Sequence, residues 1–572
     1  EQFRREVRCT ACAGTRLNAQ ARAVRIHGQS LCDLTALSVA EAVQHLPHLT
    51  LRARDQAIAA PLLPEIQARL QCMQEVGLGY LTLDRQSDTL SGGEAQRLRL
   101  AAQLGSNLRG VCYVLDEPTI GLHPRDNARL LGTLQRLKNQ GNSIVVVEHD
   151  AETIRHADHI IDLGPGAGTQ GGQVVAAGTV QELLRHPGSL TGQYLKQSGS
   201  QLSHGRQRPL RECAWLTLSG AREHNLKQVQ LRLPLGTFIA VSGVSGSGKS
   251  TLVQQTLYPA LRQHLGGYTG RVGAYDSLHG ADAVRRVLEV DHTPIGKTPR
   301  SNPATYVGFY DDIRRLLAQI PEARLRGYTP GRFSFNVSGG RCESCAGQGQ
   351  RKVEMNFLPN VFVPCDTCQG KRFSEDTLDI RYNGKHVADL LDLTITEAVD
   401  FFASLASIRR PLQILAAAGL GYLTLGQPSN TLSGGEAQRI KLAYELSRSS
   451  QSGTLYLLDE PTTGLHMADI EKLIQVLQAL VDQGNTVVVI EHNLDVIGQA
   501  DYVVDLGPEG GHAGGEIVIA GPPAALLEQP AVSYTARFLR AYYDGRVEAV
   551  PGVLPQDMRA SKRRHRTPAP TR

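Results

Sequence analysis

The most specific chemistry in this sequence lies in Gly243-Val244-Ser245-Gly246-Ser247-Gly248-Lys249-Ser250. The string fits G-x-x-x-x-G-K-[ST], follows the apolar run Phe238–Val241 and precedes a helical stretch opening at Thr251. Glycines at these positions let backbone NH groups close around phosphate oxygens, and a helix start favours negative charge. Lys249 then reaches the β/γ-phosphates of a nucleotide, and Ser250 offers its hydroxyl to Mg2+. A Gly-rich turn outside a strand–loop–helix setting would carry no such reading. Asp459 and Glu460 close a second apolar run, Leu455–Leu458. The first carboxylate suits the Mg2+ shell and the second suits orienting or deprotonating water. Alone, the pair would be taken as helix-capping acids; beside a P-loop it is a catalytic candidate. His492 ends the run Val487–Ile490 and is a candidate γ-phosphate sensor.

Leu432-Ser433-Gly434-Gly435-Glu436 sets a Ser and two Gly before a helical run, a second anion-binding helix start. The string recurs at Leu90-Ser91-Gly92-Gly93-Glu94, and the repetition is general. Gly77–Leu83 matches Gly419–Leu425 at an offset of 342 residues, and Leu115–Thr119 matches Leu458–Thr462 at 343, as Glu148-His149 does Glu491-His492. One unit is written twice. A P-loop, a signature, an Asp-Glu strand end and a strand-end His in this order resemble the ABC-type ATPases. Their units pair head to tail, so that each nucleotide lies between the P-loop of one and the signature of the other. That resemblance implies one composite ATP site, from Lys249, Ser250, Asp459, Glu460 and His492 of the second copy with Ser91, Gly92 and Gly93 of the first. The opposite pairing, Asp116, Glu117 and His149 with Ser433–Gly435, finds no P-loop in the sequence. One ATP site per chain, served by Mg2+, is the expectation.

Cys342-Glu343-Ser344-Cys345 and Cys365-Asp366-Thr367-Cys368 stand 19 residues apart, with Gly347, Gly349 and Gly370 just beyond the pairs. Four thiolates on such turns suit tetrahedral Zn2+ of the zinc-ribbon type, with a redox C-x-x-C the weaker reading. Cys9 and Cys12, with Gly14 and Arg16, repeat only the second half of this module. Everything copy two carries upstream of Cys365 has no counterpart in copy one, so the chain is expected to lack its natural N-terminal region. Between Ala323 and Phe373 lie eight basic residues, three acids and five of the eleven Phe: Phe333, Phe335, Phe357, Phe362 and Phe373. Phosphate contact with base stacking and a zinc hairpin over an ordinary Phe core fit that composition equally.

The four-cysteine insertion between P-loop and signature, the doubled Leu-Ser-Gly-Gly-Glu-Ala-Gln-Arg, and the segments 297–305 and 331–337 together resemble the UvrA family, over nearly the whole chain from Cys9 to about Ala541. UvrA is the damage-recognition ATPase of bacterial nucleotide-excision repair. The resemblance implies an ATPase that forms homodimers, scans double-stranded DNA for damage by shape and deformability, and hands the lesion to UvrB without itself cutting. In that family the UvrB-binding and insertion domains lie upstream of the part matched here, so loading of UvrB is not expected of this chain. Asp291-His292 stands where the family has Asp-Gln, which puts that contact to Mg2+ or water in question. The competing readings are a soluble ABC-type ATPase of transport or translation with a purely structural zinc module, and an inactive remnant.

The elements that must place these residues follow from the pattern. Short continuous apolar runs alternating with helical periodicity, as at Ile470–Val481, give an α/β fold with a mainly parallel sheet. The fold class is two ABC-type P-loop ATPase units in tandem with a four-cysteine zinc-module insertion. Residues 1–197 form the C-terminal part of the first unit, 198–211 a Ser/Gln/Arg-rich linker, 212–545 the second unit with its zinc module at 342–368, and 546–572 a disordered basic tail. The 572 residues are 41% hydrophobic and 20% charged, which excludes a disordered chain. The formal charge of +5 is accounted for by Gln556–Arg572 alone, so the body gives no electrostatic case for nucleic acid. No run approaches the ~18 apolar residues of a membrane span. With ten Cys, sparse for a disulfide scaffold, a cytoplasmic protein is expected.

Overall fold

The computed structural model describes residues 9–49, 51–90, 92–104, 109–168, 171–197, 208–296, 298–353, 361–448 and 452–544. Ser91, Lys297, Phe357 and the basic tail lie outside the described residues. The first unit contains α1 (Gly92–Leu104), β1 (Cys112–Asp116), α2 (Pro124–Asn139), β2 (Ser143–Val147), β3 (Ile160–Gly164), β4 (Gln173–Gly178) and α3 (Leu190–Gln197). The second begins with β5 (Trp215–Ala221), β6 (Val229–Pro234), β7 (Phe238–Gly243), α4 (Tyr258–His264), β8 (Ser277–His279) and β9 (Arg286–Val290). After the hairpin β10 (Gln350–Val353) and β11 (Val361–Pro364) come α5 (Gly434–Arg448), β12 (Thr454–Asp459), α6 (Met467–Asp482), β13 (Thr486–Ile490), β14 (Tyr502–Gly507), β15 (Glu516–Gly521) and α7 (Tyr534–Tyr543).

The second unit is built on a six-stranded sheet in the order β9-β12-β13-β7-β14-β15, parallel throughout except for the edge strand β15. Its central strands are buried on both faces, which is why they read as unbroken apolar runs. Alternation along β7 sends Phe238 and Ala240 to one core and Ile239 and Val241 to the other. The first core is roofed by α5 and α6, and α6 buries Ile470, Leu473, Ile474, Leu477 and Val481 at helical spacing. The second is covered by the antiparallel sheet β8-β5-β6 and by Leu252, Leu257 and Leu261 from the helix after the P-loop. The helix α5 starts in a capping box: Ser433 NH donates to Glu436 Oε2, and Glu436 NH donates to Ser433 Oγ.

The first unit repeats this plan with a gap. β1 and β2 pair in the same register as β12 and β13, and β3 and β4 repeat β14 and β15 down to the bulge. In the second unit β7 joins the two pairs; among the described residues no strand joins them in the first, so two separate two-stranded sheets result. The face that β5, β6 and the P-loop helix cover in the second unit is open here. Val114 and Leu163 are 72% and 68% exposed, where their counterparts Leu457 and Leu506 are 2% and 1% exposed.

Arg208, which composition assigns to the linker ahead of Glu212, packs on the second unit. Arg208 donates from its backbone NH and from Nη1 to Asp501, whose carboxylate also accepts the NH of Phe238 at the head of β7. The Asp501 side chain is fully buried, so it needs these donors, and composition does not report such a need. Arg208→Ala is expected to destabilise the second unit by about 3 kcal/mol, because it strips the cation from a buried carboxylate. Calorimetry would register a lowered unfolding midpoint, and an unchanged one would show that the backbone donors suffice.

Candidate functional site

The phosphate-binding loop turns on left-handed glycines. Gly243 has φ 136°, and a β-carbon there would stand 2.1 Å from the Leu506 carbonyl oxygen, so only glycine lets β7 run beside β14 into the loop. Lys249 is buried, and its Nζ donates to the carbonyls of Gly243 and Val244 at 2.8 and 3.1 Å. Burial pushes this ammonium down, against the pull of Glu460, Asp126, Asp505 and Asp459. Ser245 Oγ and Ser247 Oγ are buried without a hydrogen-bond partner, while Ser250 is exposed at the helix start and Thr251 follows it into the helix. Orphaned hydroxyls and a buried cation on one glycine loop fit a phosphate chain.

Asp459 ends β12 beside this loop, with Oδ2 accepting from Gln254 Nε2 at 3.0 Å, one turn beyond Ser250. Glu460 sits at φ 43° with its NH on the Ile490 carbonyl, a turn that aims its side chain back at the site. Burial, then repulsion from Asp459 and Glu491, pushes its carboxyl up to about 7. That suits a group that takes a proton near neutral pH. His492 Nε2 lies 4.0 Å from Glu460 Oε1, and burial holds the imidazole well below its ordinary pKa. Glu491 fixes the turn beneath it by accepting from the NH groups of Thr462, His492 and Asn493 and from Thr462 Oγ1. His292 donates from Nε2 to the Asp459 carbonyl at 2.9 Å.

The first unit reaches into this site through the turn 121–126. A β-carbon on Gly121 would lie 2.8 Å from a Glu460 carboxylate oxygen. His123 is fully buried, hydrogen-bonded through Nε2 to Thr535 Oγ1 at 3.1 Å, and edge-on to the His492 ring at 5.9 Å. Asp126 Oδ2 accepts the NH of Ser245 at 3.4 Å. Arg125 binds Glu509 at 2.7 Å and lies over the Tyr534 ring at 4.5 Å. The relation is reciprocal: Gly464 faces Glu117, His466 bonds Thr191 at 3.1 Å and meets the His149 ring at 6.3 Å. Two units therefore face each other about a pseudo-twofold. Gly92 and Gly93 open α1 on the same side as this turn, since a β-carbon on Gly93 would stand 2.9 Å from the Ile120 carbonyl. Sequence reasoning passed over Gln254, Gly121, His123, Arg125 and Asp126, although Gly121-Leu122-His123 recurs as Gly464-Leu465-His466.

Cys342, Cys345, Cys365 and Cys368 are all buried, with their sulfurs within 4.8 Å of one another. The two knuckles are alike: Gly347 NH bonds the Cys342 carbonyl, Gly349 NH points at Cys345 Sγ, and Gln369 NH bonds the Cys365 carbonyl. This donor set fits Zn2+. Cys9 and Cys12 keep one knuckle without its partner. Ala13, Gly14 and Arg16 have φ of 51°, 85° and 62° against 49°, 85° and 71° at Gln369, Gly370 and Arg372. Of the clustered Phe, Phe333, Phe335 and Phe373 form core, whereas Phe362 is 43% exposed on β11 beside Arg351 and Lys352 of β10. The core reading of that composition holds for Phe333, Phe335 and Phe373.

The fold and the facing sites define an ABC-type ATPase architecture: two tandem units, the second with its P-loop and a four-cysteine insertion. No protein-family model matches the chain. It is 56% identical over 533 residues to UvrABC system protein A of Thermus thermophilus, and 54% identical over 543 residues to that of Bacillus subtilis; these alignments cover 92% and 94% of this chain and 56% of each relative. The crystal structure of UvrA2 from Deinococcus radiodurans superposes with a TM-score of 0.85 at 49% identity, covering 93% of this chain and 66% of that one. The chain is a homologue of UvrABC system protein A and spans little more than half the length of those relatives. No helix among the described residues is long and apolar enough to cross a membrane.

Elemental analysis of the purified chain should find one zinc per molecule. Cys365→Ser should bring it close to zero and Cys9→Ser should leave it unchanged; zinc retained by Cys365→Ser would refute the four-thiolate site.

Proposed function

We propose that this chain is the ATP-hydrolysing, DNA-binding portion of a UvrA-type repair protein, which uses one composite ATP site to recognise damaged or distorted duplex DNA. The observation that carries this reading is the turn 121–126 of the first unit, seated on Glu460, His492 and Ser245 of the second. Lys249 and the loop NH groups of residues 243–251 bind the β- and γ-phosphates. Ser250 and Asp459 are the residues that would hold Mg2+, which when bound neutralises charge on the β- and γ-oxygens. Glu460 accepts the proton of the attacking water as its oxygen bonds to the γ-phosphorus. The bond from that phosphorus to the β–γ bridging oxygen breaks, and ADP and phosphate leave. His492 orients the γ-phosphate, and the signature that opens with Gly92 and Gly93 serves the site from the first unit.

The zinc module serves as a rigid base for the β10–β11 hairpin. Arg351, Lys352 and exposed Phe362 on that hairpin combine phosphate contact with a stacking surface. Lesions share no base-edge pattern, so recognition rests on how readily the duplex deforms. A second copy of the chain and double-stranded DNA are the proposed partners. A site of four zinc-binding thiolates suits a reducing compartment, and the cytoplasm is the compartment this reading implies.

The decisive assay is steady-state ATP hydrolysis with and without UV-irradiated duplex DNA. DNA should alter turnover, and Lys249→Ala and Glu460→Gln should each lower it by about 100-fold or more. Turnover indifferent to DNA, with zinc in place, would favour an ABC-type ATPase of another process. Equilibrium titration should saturate at one ATP per chain; two tight sites would contradict the single composite site.

A further inference from the structure

The duplicated segment Gly77–Leu83 ends no strand and carries no catalytic group, yet its Tyr80, like Asp126, lies directly on the phosphate loop. Gly246, at φ 75°, presents bare backbone to the ring: a β-carbon there would stand 2.5 Å from Cδ2 and 2.8 Å from Cε2 and Cγ. Gly246 is itself a node of the loop, for its carbonyl accepts from the NH of Gly511 and from Asn225 Nδ2. Tyr80 also packs on Gly510 and Gly511, so the ring covers both strands of that node. At its other end the Tyr80 hydroxyl donates to Glu94 Oε1, on the first turn of the signature helix α1. The backbone that carries the ring is pinned, since Gly79 and Leu81 accept from the NH groups of Ala40 and Val39. Burial keeps the phenol protonated, and so a donor to Glu94, at any ordinary pH.

We propose that Tyr80 is a positioning residue for ATP turnover: braced by Glu94, it sets the spacing between the signature helix of the first unit and the P-loop of the second. This rests on the ATPase reading above and adds the contact through which the first unit acts. The pseudo-twofold supplies an internal control. Tyr422 bonds Glu436 in the same way and packs on Gly168, but no phosphate loop lies beneath it among the described residues.

The test is steady-state hydrolysis by the full chain, with thermal midpoints for each variant. Tyr80→Ala should lower kcat by about tenfold or more and leave the KM for ATP within about twofold, because the loop that binds ATP is untouched and only its spacing to the first unit changes. Tyr80→Phe keeps the ring and should retain most of kcat. Tyr80→Phe combined with Glu94→Gln should cost less than the sum of the two separate losses, as expected of two groups joined by one bond. Tyr422→Ala should turn over like the wild type. Wild-type kcat in Tyr80→Ala, or equal losses in Tyr80→Ala and Tyr422→Ala, would overturn the proposal. If Tyr80→Ala fails to fold, the Tyr80→Phe and Glu94→Gln pair decides, and additive losses overturn it. Turnover that Lys249→Ala abolishes but Tyr80→Ala spares removes only this proposal; a wild-type chain without turnover removes the ATPase reading and this one with it.

Discussion

The two units meet across bare backbone. At Gly121 and Gly246 a single β-carbon would collide with Glu460 or with the Tyr80 ring, and both glycines adopt left-handed φ that other residues rarely take. Close approach at these two points lets the first unit touch a carboxylate, a histidine and a phosphate loop of the second together. On the proposed ATPase reading, hydrolysis depends on how the units are apposed, so anything that moves one unit against the other has a route to the chemistry. A lone second unit would possess the phosphate loop and the acids but not the wall that faces them.

The cysteine module shows how much of a local fold survives without its ligand set. Around Cys9 and Cys12 the backbone still takes the left-handed sequence found at Gln369–Arg372. Arg16 still donates to the Asp84 carbonyl at 2.9 Å, as Arg372 does to Gly426 at 3.0 Å. The knuckle is therefore encoded by its own glycine and arginine, and a metal joins two such knuckles rather than shaping either. In the second unit that joint sits over Phe335 and Phe373, whose rings lie 6.2 Å apart in the core. The hairpin beyond it is tied to the ATPase body through packed aromatic rings.

The strands and the phosphate loop were legible because strands buried on both faces must be apolar throughout, and because a phosphate cradle tolerates few residue types. The repeat disclosed two like units, and the resemblance to ABC-type ATPases implied that they face each other. Contacts made only when distant segments meet were not legible. Gln254 beside Asp459 and His123 beside Thr535 are separated by hundreds of residues and follow no spacing rule. Tyr80 and the turn 121–126 did leave a trace, since they recur in both copies, but recurrence alone does not distinguish a residue that packs its own unit from one that packs the other. The bond from Arg208 to buried Asp501 was not legible either, because the linker composition around Arg208 hides the cation that Asp501 calls for.

The contact of Arg125 with Glu509 and Tyr534 has no mirror image among the described residues. Arg125, Glu509 and Tyr534 form a linked trio on the side of the phosphate loop, while the symmetry-related positions hold Ala468, Gly166 and Leu190. All three members changed together, so neither side is left with an orphaned charge. Two second units side by side would set Glu509 against Ala468, and two first units would set Arg125, still bound to Asp126, against Gly166, so neither arrangement forms this contact. A first unit beside a second is the pairing in which all three side chains meet.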